Sequence, residues 1–360
     1  MNRIPFLVAG VFVIICFFTS SCDLPPPQQS GKTTENSPVA GVVAGGTTSF
    51  WKAAEYGARH AAEKNDLHLV WQETSQPDDF DQQVAAIRNL ATRRVQGMII
   101  ATQNELMIRD ALQRVEKQGI RVLLLDCPPV TCTKNTSNQF SVVATDQFRA
   151  GQLAADELAG LLQEKGQVAI IRYSPASSKT ENREKGFLSQ IQSYPEIVVV
   201  GHDLYTGTDS RVARDKMTIF LRLYSKNGIS QLDGLFISHE SIACEMLPLI
   251  EQEKLDKKIH FVAFGSDPRL VTGMLSYLVD ALFVEQPARM GQLAIDAMTE
   301  MLRGKTIAPF HDSGVHCITI DNLFSPYSLA LLHSDAENSL EMMLNEFPDN
   351  IINKNHVENQ

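Results

Sequence analysis

The sequence predicts an α/β protein made of parallel sheets covered by helices on both faces. Three observations carry that prediction. The stretch Val39 to Glu63 (VAGVVAGGTTSFWKAAEYGARHAAE) reads as strand, Gly-rich turn and amphipathic helix. Short apolar runs then alternate with helix-length segments through nearly all of the following chain, the pattern of strands joined by crossover helices. Arg121 to Asp126 (RVLLLD) is apolar almost throughout, as a strand buried on both faces must be.

Each element has its own signal. Val39 to Ala44 is a short apolar run that stops at Gly45-Gly46, where the backbone turns without a Cβ penalty. Thr47, Thr48 and Ser49 offer hydroxyls to a helix N-terminus. Phe50, Trp51, Ala54, Ala58, Ala61 and Ala62 then recur at three- and four-residue steps. Leu67 to Glu73 is the next strand, and Phe80, Val84, Ile87 and Leu90 form a helical stripe. Gly97 to Ala101 reads as a strand, Glu105 to Gln118 as a helix, and Pro128-Pro129 ends the run at Arg121 to Asp126. Ser141 to Asp146 is followed by a helix through about Lys165.

A second set of units follows. Strands are expected at Gln167 to Tyr173, Ile197 to Leu204, Gly234 to His239, His260 to Gly265, Ala281 to Glu285 and Gly314 to Ile320. Helices are expected at Glu181 to Ser193, Val212 to Tyr224, Ile242 to Glu253, Leu270 to Tyr277 and Ala288 to Leu302. In such sheets ligands bind beyond the carboxyl ends of the strands.

The chain of 360 residues is long enough for two domains. Hydrophobic residues at 44% and charged ones at 21% are ordinary for a globular protein. The net charge of −10, with no local run of Lys and Arg, argues against nucleic acid as a partner.

The first segment reads as an address. Arg3 supplies the positive start, and the apolar core Phe6 to Phe18 is too short for a comfortable membrane span. Thr19-Ser20-Ser21-Cys22 resembles the lipobox of bacterial lipoproteins, with Cys22 as the lipidated residue, although Thr19 departs from the usual Leu-like residue. An ordinary signal peptide cleaved near Ser21 is the alternative. Asp23 resembles an inner-membrane retention signal. Leu24 to Pro38 (LPPPQQSGKTTENSP) is a polar, Pro-rich tether. Its Gly31-Lys32-Thr33 is no phosphate loop, because Pro26 stands where the first Gly belongs and no strand precedes it.

Several separated stretches occur together in a familiar order: GTTSFWKAAEYGARHAAEK, VQGMIIAT, IRVLLLD, SVVATDQFRAGQLAADELA, NREKGF, DGLFISHES, HFVAFGSDPRLV and VDALFVEQPARMGQLA. In these the chain resembles type 1 periplasmic binding proteins of the ribose-binding, sugar ABC-transporter class, from about Val39 to Leu332. The resemblance implies two doubly wound parallel-sheet lobes joined by a three-crossing hinge, with crossings near Thr145-Asp146, Glu285-Gln286 and Ser313-Gly314. The expected organisation is a signal segment (1–22), the tether (23–38), a first lobe (39–145 with 286–313), a second lobe (146–285 with 314–332) and a polar tail (333–360). A ligand would bind between the lobes and be buried by hinge closure.

The same resemblance nominates ligand-binding residues. Phe50 and Trp51 stand where family aromatics sandwich a sugar ring, although one of the two rings could instead staple the helix into the core. Asp126, at a strand end, matches a hydroxyl-binding carboxylate, with a turn or cap role as its alternative. Arg183 in NREKGF matches a cleft arginine from the second lobe, or an exposed helix arginine paired with Glu181 or Glu184. Tyr205 could add a ring from that lobe. Departures from the ribose pattern stand at Ala101, Cys127, His239, Gly265 and Glu285, where the family carries Asn, Arg, Asn, Asp and Gln. Asp267 could restore a carboxylate lost at Gly265. Losing several hydrogen-bonding groups predicts weak ribose binding. The expected ligand is another carbohydrate-like or small polar molecule, with an amine that Asp126 and Glu285 could pair as one option.

Outside the cytoplasm Cys127 and Cys132 could close a short disulfide, or stand as two thiols. Cys244 and Cys317 are expected to pack as small hydrophobes. The nine histidines form no metal-binding spacing, there is no G-x-S-x-G elbow, and no cofactor is implied. The expectation is therefore a binding protein rather than an enzyme, lipid-anchored on the periplasmic side of the cell envelope, which hands a sugar-like ligand to an ABC permease. A sensing module for a membrane signalling partner is the main rival. A repressor's effector domain shares the fold, but the lipobox-like segment stands where a DNA-binding headpiece would be.

Overall fold

The computed structural model describes residues 37–75, 79–102, 104–127, 140–226, 229–252 and 259–332. The apolar runs become two six-stranded sheets. The first holds β1 (Val39–Ala44), β2 (His68–Glu73), β3 (Gly97–Ala101), β4 (Arg121–Leu125), β5 (Ser141–Ala144) and β13 (Phe310–Asp312), in the order β13-β5-β4-β3-β1-β2. Every pairing in it is parallel, with Val42 opposite both Trp71 and Ile99. The second holds β6 (Lys165–Arg172), β7 (Glu196–Tyr205), β10 (Gly234–Ile237), β11 (His260–Phe264), β12 (Ala281–Glu285) and β14 (Val315–Thr319), in the order β14-β12-β11-β10-β6-β7. Here the edge strand β14 runs antiparallel to β12, a single exception to the parallel pattern. A small antiparallel pair, β8 (Ser225–Lys226) and β9 (Ile229–Ser230), stands apart.

Strand side chains alternate between the two faces of each sheet, and helices cover both. In the first sheet Val42, Ile99, Leu123 and Leu125 pack against α1 (Ser49–Lys64) and α9 (Pro287–Leu302). Val43, Ile100, Val122 and Leu124 pack against α2 (Phe80–Thr92) and α3 (Glu105–Lys117). In the second sheet Val168, Ile170, Phe236 and Phe283 meet α4 (Gln147–Leu161) and α5 (Ser178–Ile191). Its other face, with Ile171, Leu235, Phe261 and Leu282, meets α6 (Ser210–Leu223), α7 (Glu240–Gln252) and α8 (Pro268–Leu275). Asp79, Asn104, Asp146 and Asp209 cap α2, α3, α4 and α6 by accepting a backbone N–H in the first turn.

The α4–α5 contact is unusually close, because glycines face each other's backbone. A Cβ on Gly151 would lie 1.9 Å from the carbonyl oxygen of Arg183, and one on Gly186 would lie 1.9 Å from that of Phe148. The first turns of α5 are thereby fixed against α4.

The chain passes between the sheets three times: after β5 into α4, after β12 into α9, and from β13 directly into β14. The crossings are tied together. The hydroxyls of Thr145 and Ser313 are 3.0 Å apart, the Ser313 N–H donates to Ala144 O at 2.9 Å, and the Asp146 N–H donates to Asp312 at 2.9 Å. Above them lies a helix the sequence reading did not anticipate, α10 (Pro326–Leu332), whose Tyr327 hydroxyl donates to Gln286. The expected tail at 333–360 lies outside the described residues, as do Cys22, the tether from 23 to 36 and Cys132.

Candidate functional site

The carboxyl ends of the strands in both sheets open onto one cavity of ≈ 410 Å³. The first lobe contributes Thr48, Ser49 and Phe50; the second contributes Ser177, Lys179, Thr180, Arg183, His239, Glu240 and Phe264, with Glu285 at the crossing. Hydroxyls, three phenylalanine rings (Phe50, Phe264 and Phe283), an imidazole and charged groups therefore line it.

Arg183 is the best-anchored of these groups. It sits on the second turn of α5 and is only 6% exposed. Its guanidinium lies over the ring of Phe264 at 3.7 Å from the centroid. Nη1 donates to Ser238 O at 2.6 Å, while Nε and Nη2 both donate to Gln147 Oε1, at 2.9 and 2.6 Å. Gln147 donates in turn to Glu285 at 2.7 Å, and Glu285 stands 3.7 Å from Arg183. Glu184, the expected alternative partner, is instead fully buried and bonded to Arg172, the Tyr173 N–H and the Ser238 hydroxyl.

Asp126 follows β4 in the left-handed region, φ +52°, which Asp tolerates better than most residues. Its N–H donates to Val143 O at 2.8 Å. The carboxylate is buried, and its Oδ2 accepts from Lys179 Nζ at 2.5 Å. Oδ1 is buried without a hydrogen-bond partner among the described residues. Burial opposes the Lys179 ammonium, but Asp126 and Glu285 outweigh it and hold its pKa above the ordinary lysine value. Burial likewise opposes the Glu285 carboxylate. Lys179, Arg183 and hydrogen bonds from Gln147 and Thr145 prevail and set it below the usual range.

His239 follows β10 and stacks on Tyr173 with centroids 3.7 Å apart and planes at 4°. Its Nδ1 shares a 2.9 Å hydrogen bond with the Ser241 hydroxyl. Burial, reinforced by Arg183, lowers its pKa to about 4, so at neutral pH it is an uncharged ring.

Not every nominated residue reaches the cavity. Phe50 does; Trp51, its neighbour, is 6% exposed and packs into the first-lobe core. Adjacent helical residues point about 100° apart, and the indole fills the space over Gly45, where a Cβ would lie 2.8 Å from it. Tyr205 ends β7 and does not line the cavity; the Arg172 guanidinium lies over its ring at 4.3 Å. Asp267 is spent as the N-cap of α8, accepting from the Arg269 N–H at 2.8 Å and pairing with the Arg269 guanidinium. The carboxylate that faces the cavity beside Gly265 comes instead from Glu240. Gly265 has φ +132°, and a Cβ there would lie 2.6 Å from Glu240 Cγ. Glu240 Oε2 accepts from the N–H groups of Ser266 and Asp267 at 2.5 and 2.9 Å.

Asp126 and Glu285, the two carboxylates named above for an amine on the ligand, each have a partner from the protein itself, Lys179 for Asp126 and Gln147 for Glu285. Sequence reasoning missed Lys179, Gln147, Glu240 and Phe264. Lys179 alone had a local signal, since it precedes Arg183 by four residues and so shares its helix face. Cys127 is buried and Cys244 is buried beside Asp267, where burial raises its thiol pKa to about 12. No cluster of potential metal ligands occurs among the described residues.

The family described as the periplasmic binding protein domain matches residues 39–306. The ribose import binding protein RbsB of Bacillus subtilis is 21% identical over 306 residues, covering 83% of this chain and 94% of that one. The D-apiose import binding protein of Actinobacillus succinogenes is 24% identical over 166 residues, 46% of this chain and 52% of that one. Among solved structures, an ABC transporter solute-binding protein from Burkholderia graminis in complex with D-arabinose is 25% identical, with TM-score 0.64 and coverage of 81% and 97%. A sugar-binding protein of a sugar ABC transporter from Bacillus halodurans superposes with TM-score 0.70 at 19% identity, over 80% of this chain and 99% of that one. These are binding proteins, not enzymes.

Proposed function

The chain belongs to the periplasmic binding protein family, in its type 1 sugar-binding class, and from that premise we propose that it captures a neutral polyhydroxylated molecule between its lobes for ABC-type uptake. The observation that carries this reading is the chemistry of the ≈ 410 Å³ cavity. Phe50 offers a flat apolar face suited to the CH face of a sugar. Thr48, Ser49, Ser177 and Thr180 bring hydroxyls, and Arg183 brings a braced guanidinium. Each cation lining it is opposed by a carboxylate, Lys179 by Asp126 and Arg183 by Glu285. The Glu240 carboxylate is held by two backbone N–H groups, so an acidic ligand would meet no uncommitted cation among the described residues.

The relatives bind or import ribose, apiose, arabinose and, in a xylitol-binding protein of Mycolicibacterium smegmatis, a polyol. Five-carbon sugars and polyols are accordingly the first class to test. Ribose itself is expected to bind weakly, since Ala101, Cys127 and Gly265 supply none of the polar side chains of the ribose pattern. The mature protein would be held to the membrane by lipid on Cys22, a reading supported by the small residues before that cysteine and the Pro-rich tether after it. Thermal-shift measurement against D-arabinose, D-apiose, xylitol and D-ribose tests the capture. Stabilisation by one of the first three, lost in R183A, is the expected result. Stabilisation only by a sugar acid or an amino sugar would contradict it. Palmitate labelling that disappears in C22A tests the anchor.

A further inference from the structure

The Lys179 side chain crosses from one lobe to the other. It leaves the first turn of α5 in the second lobe and places Nζ 2.5 Å from Oδ2 of Asp126 in the first lobe. Lys179 lines the large cavity, whereas Asp126 does not. Asp126 borders a separate pocket of ≈ 10 Å³ behind the lysine, shared with Thr145, Gln147 and Asn182. That volume is room for about one water molecule. The ammonium also lies 5.7 Å from the centroid of the Phe50 ring. It is therefore close both to the strand-end carboxylate and to the ring against which a sugar would rest.

We propose that Lys179 is a specificity-determining residue: it screens Asp126 from the cavity, so the ligand meets an ammonium where the strand end would otherwise present a carboxylate. The proposal deepens the sugar-capture reading and rests on it for its ligand class. An ammonium has three donors and no acceptor; one donor is committed to Asp126, which leaves two for ligand oxygens. The site then favours ligands that present hydroxyl or ring oxygens at this position and disfavours those that present an amine, whose charge would face a like charge. Because the pair joins residues of different lobes, it also draws the lobes together without a ligand.

Two measurements test this on the full mature chain. Small-angle scattering of the ligand-free protein compares the wild type with K179M and with the double variant D126N/K179M, which leaves no unpaired buried charge. The expected result is a larger radius of gyration in both variants. Equal radii for the wild type and the double variant overturn the interlobe role. Calorimetry with D-glucosamine and D-glucose then compares wild type and K179M. K179M should bind D-glucosamine about tenfold or more tightly than the wild type does, because a charge-assisted hydrogen bond to Asp126 becomes available. D-glucosamine bound no better by K179M overturns the selectivity. Failure of every neutral sugar to stabilise the wild type would count against sugar capture instead, and the scattering comparison needs no sugar.

Discussion

Gln147 and Arg183 are joined twice: one amide oxygen of Gln147 accepts both Nε and Nη2 of the guanidinium, at 2.9 and 2.6 Å. The amide nitrogen of the same residue donates to Glu285 at 2.7 Å. Gln147 opens the helix after the first crossing and Glu285 ends the strand before the second. Under the proposed reading, a ligand on Arg183 would thus bear directly on the hinge. Gln147→Leu should destabilise the protein by about 1–3 kcal/mol, since it strips a buried partner from both charges. Urea unfolding measures the loss.

Arg183 itself should be irreplaceable by lysine. Its donors reach Gln147 and Ser238 in a planar fork while its face covers Phe264, and an ammonium can do neither. R183A and R183K should both weaken the sugar that stabilises the wild type by about 1.5–3 kcal/mol, roughly ten- to 150-fold in Kd. Calorimetry separates this from a folding defect when both variants unfold cooperatively.

The fold was legible because burial on both faces writes long apolar runs, and these runs alternate with helical stripes along most of the chain. What escaped was short or paired across distance. β13 has three residues, too few for a period of two to register. Phe50 and Trp51 are equivalent as composition, and only the helix phase sends one to the cavity and the other over Gly45. The Glu240 carboxylate beside Gly265 comes from the first turn of α7, so scanning the strand end for its missing acid pointed to Asp267 instead. Charge pairing is the hardest to foresee. Asp126 reads as an open strand-end acceptor until Lys179 is placed against it from the other lobe.

Two glycines of the second lobe should respond to alanine with opposite signs. On Gly186 the added Cβ would meet the Phe148 carbonyl oxygen at 1.9 Å, and backbone must move. G186A should cost about 1–3 kcal/mol and weaken the sugar as well, since its helix carries Lys179 and Arg183. Gly160, in the last turn of α4, has nothing within 4 Å of such a Cβ. G160A should stabilise by about 0.4–1 kcal/mol by restricting the unfolded chain. Thermal unfolding of the pair reads both.

Glu184 is buried completely yet fully partnered, by Arg172 at 2.7 Å, the Tyr173 N–H at 3.1 Å and the Ser238 hydroxyl at 2.7 Å. Removing the carboxylate leaves Arg172 without its counter-ion in a largely buried position. E184A should lose about 3–5 kcal/mol in denaturant unfolding. A loss comparable to that of an exposed ion pair, under about 1 kcal/mol, would mean that Arg172 finds water instead.

His239 gives the protein a pH dependence of known sign. In the folded chain its pKa falls to about 4, through burial and then the Arg183 charge, with Glu285 opposing; unfolded, it returns to about 6.5. Above pH 6.5 the ring is neutral in both states and contributes no slope. Between 6.5 and 4 the unfolded chain takes up a proton that the folded one refuses, so stability falls as the pH falls through this window. His239→Asn keeps a neutral hydrogen-bonding group and cannot titrate. Unfolding free energies of wild type and H239N should therefore run parallel above pH 6.5 and diverge below it, with the wild type losing more. Parallel curves down to pH 4 would mean that His239 is solvated enough to protonate in place against Tyr173.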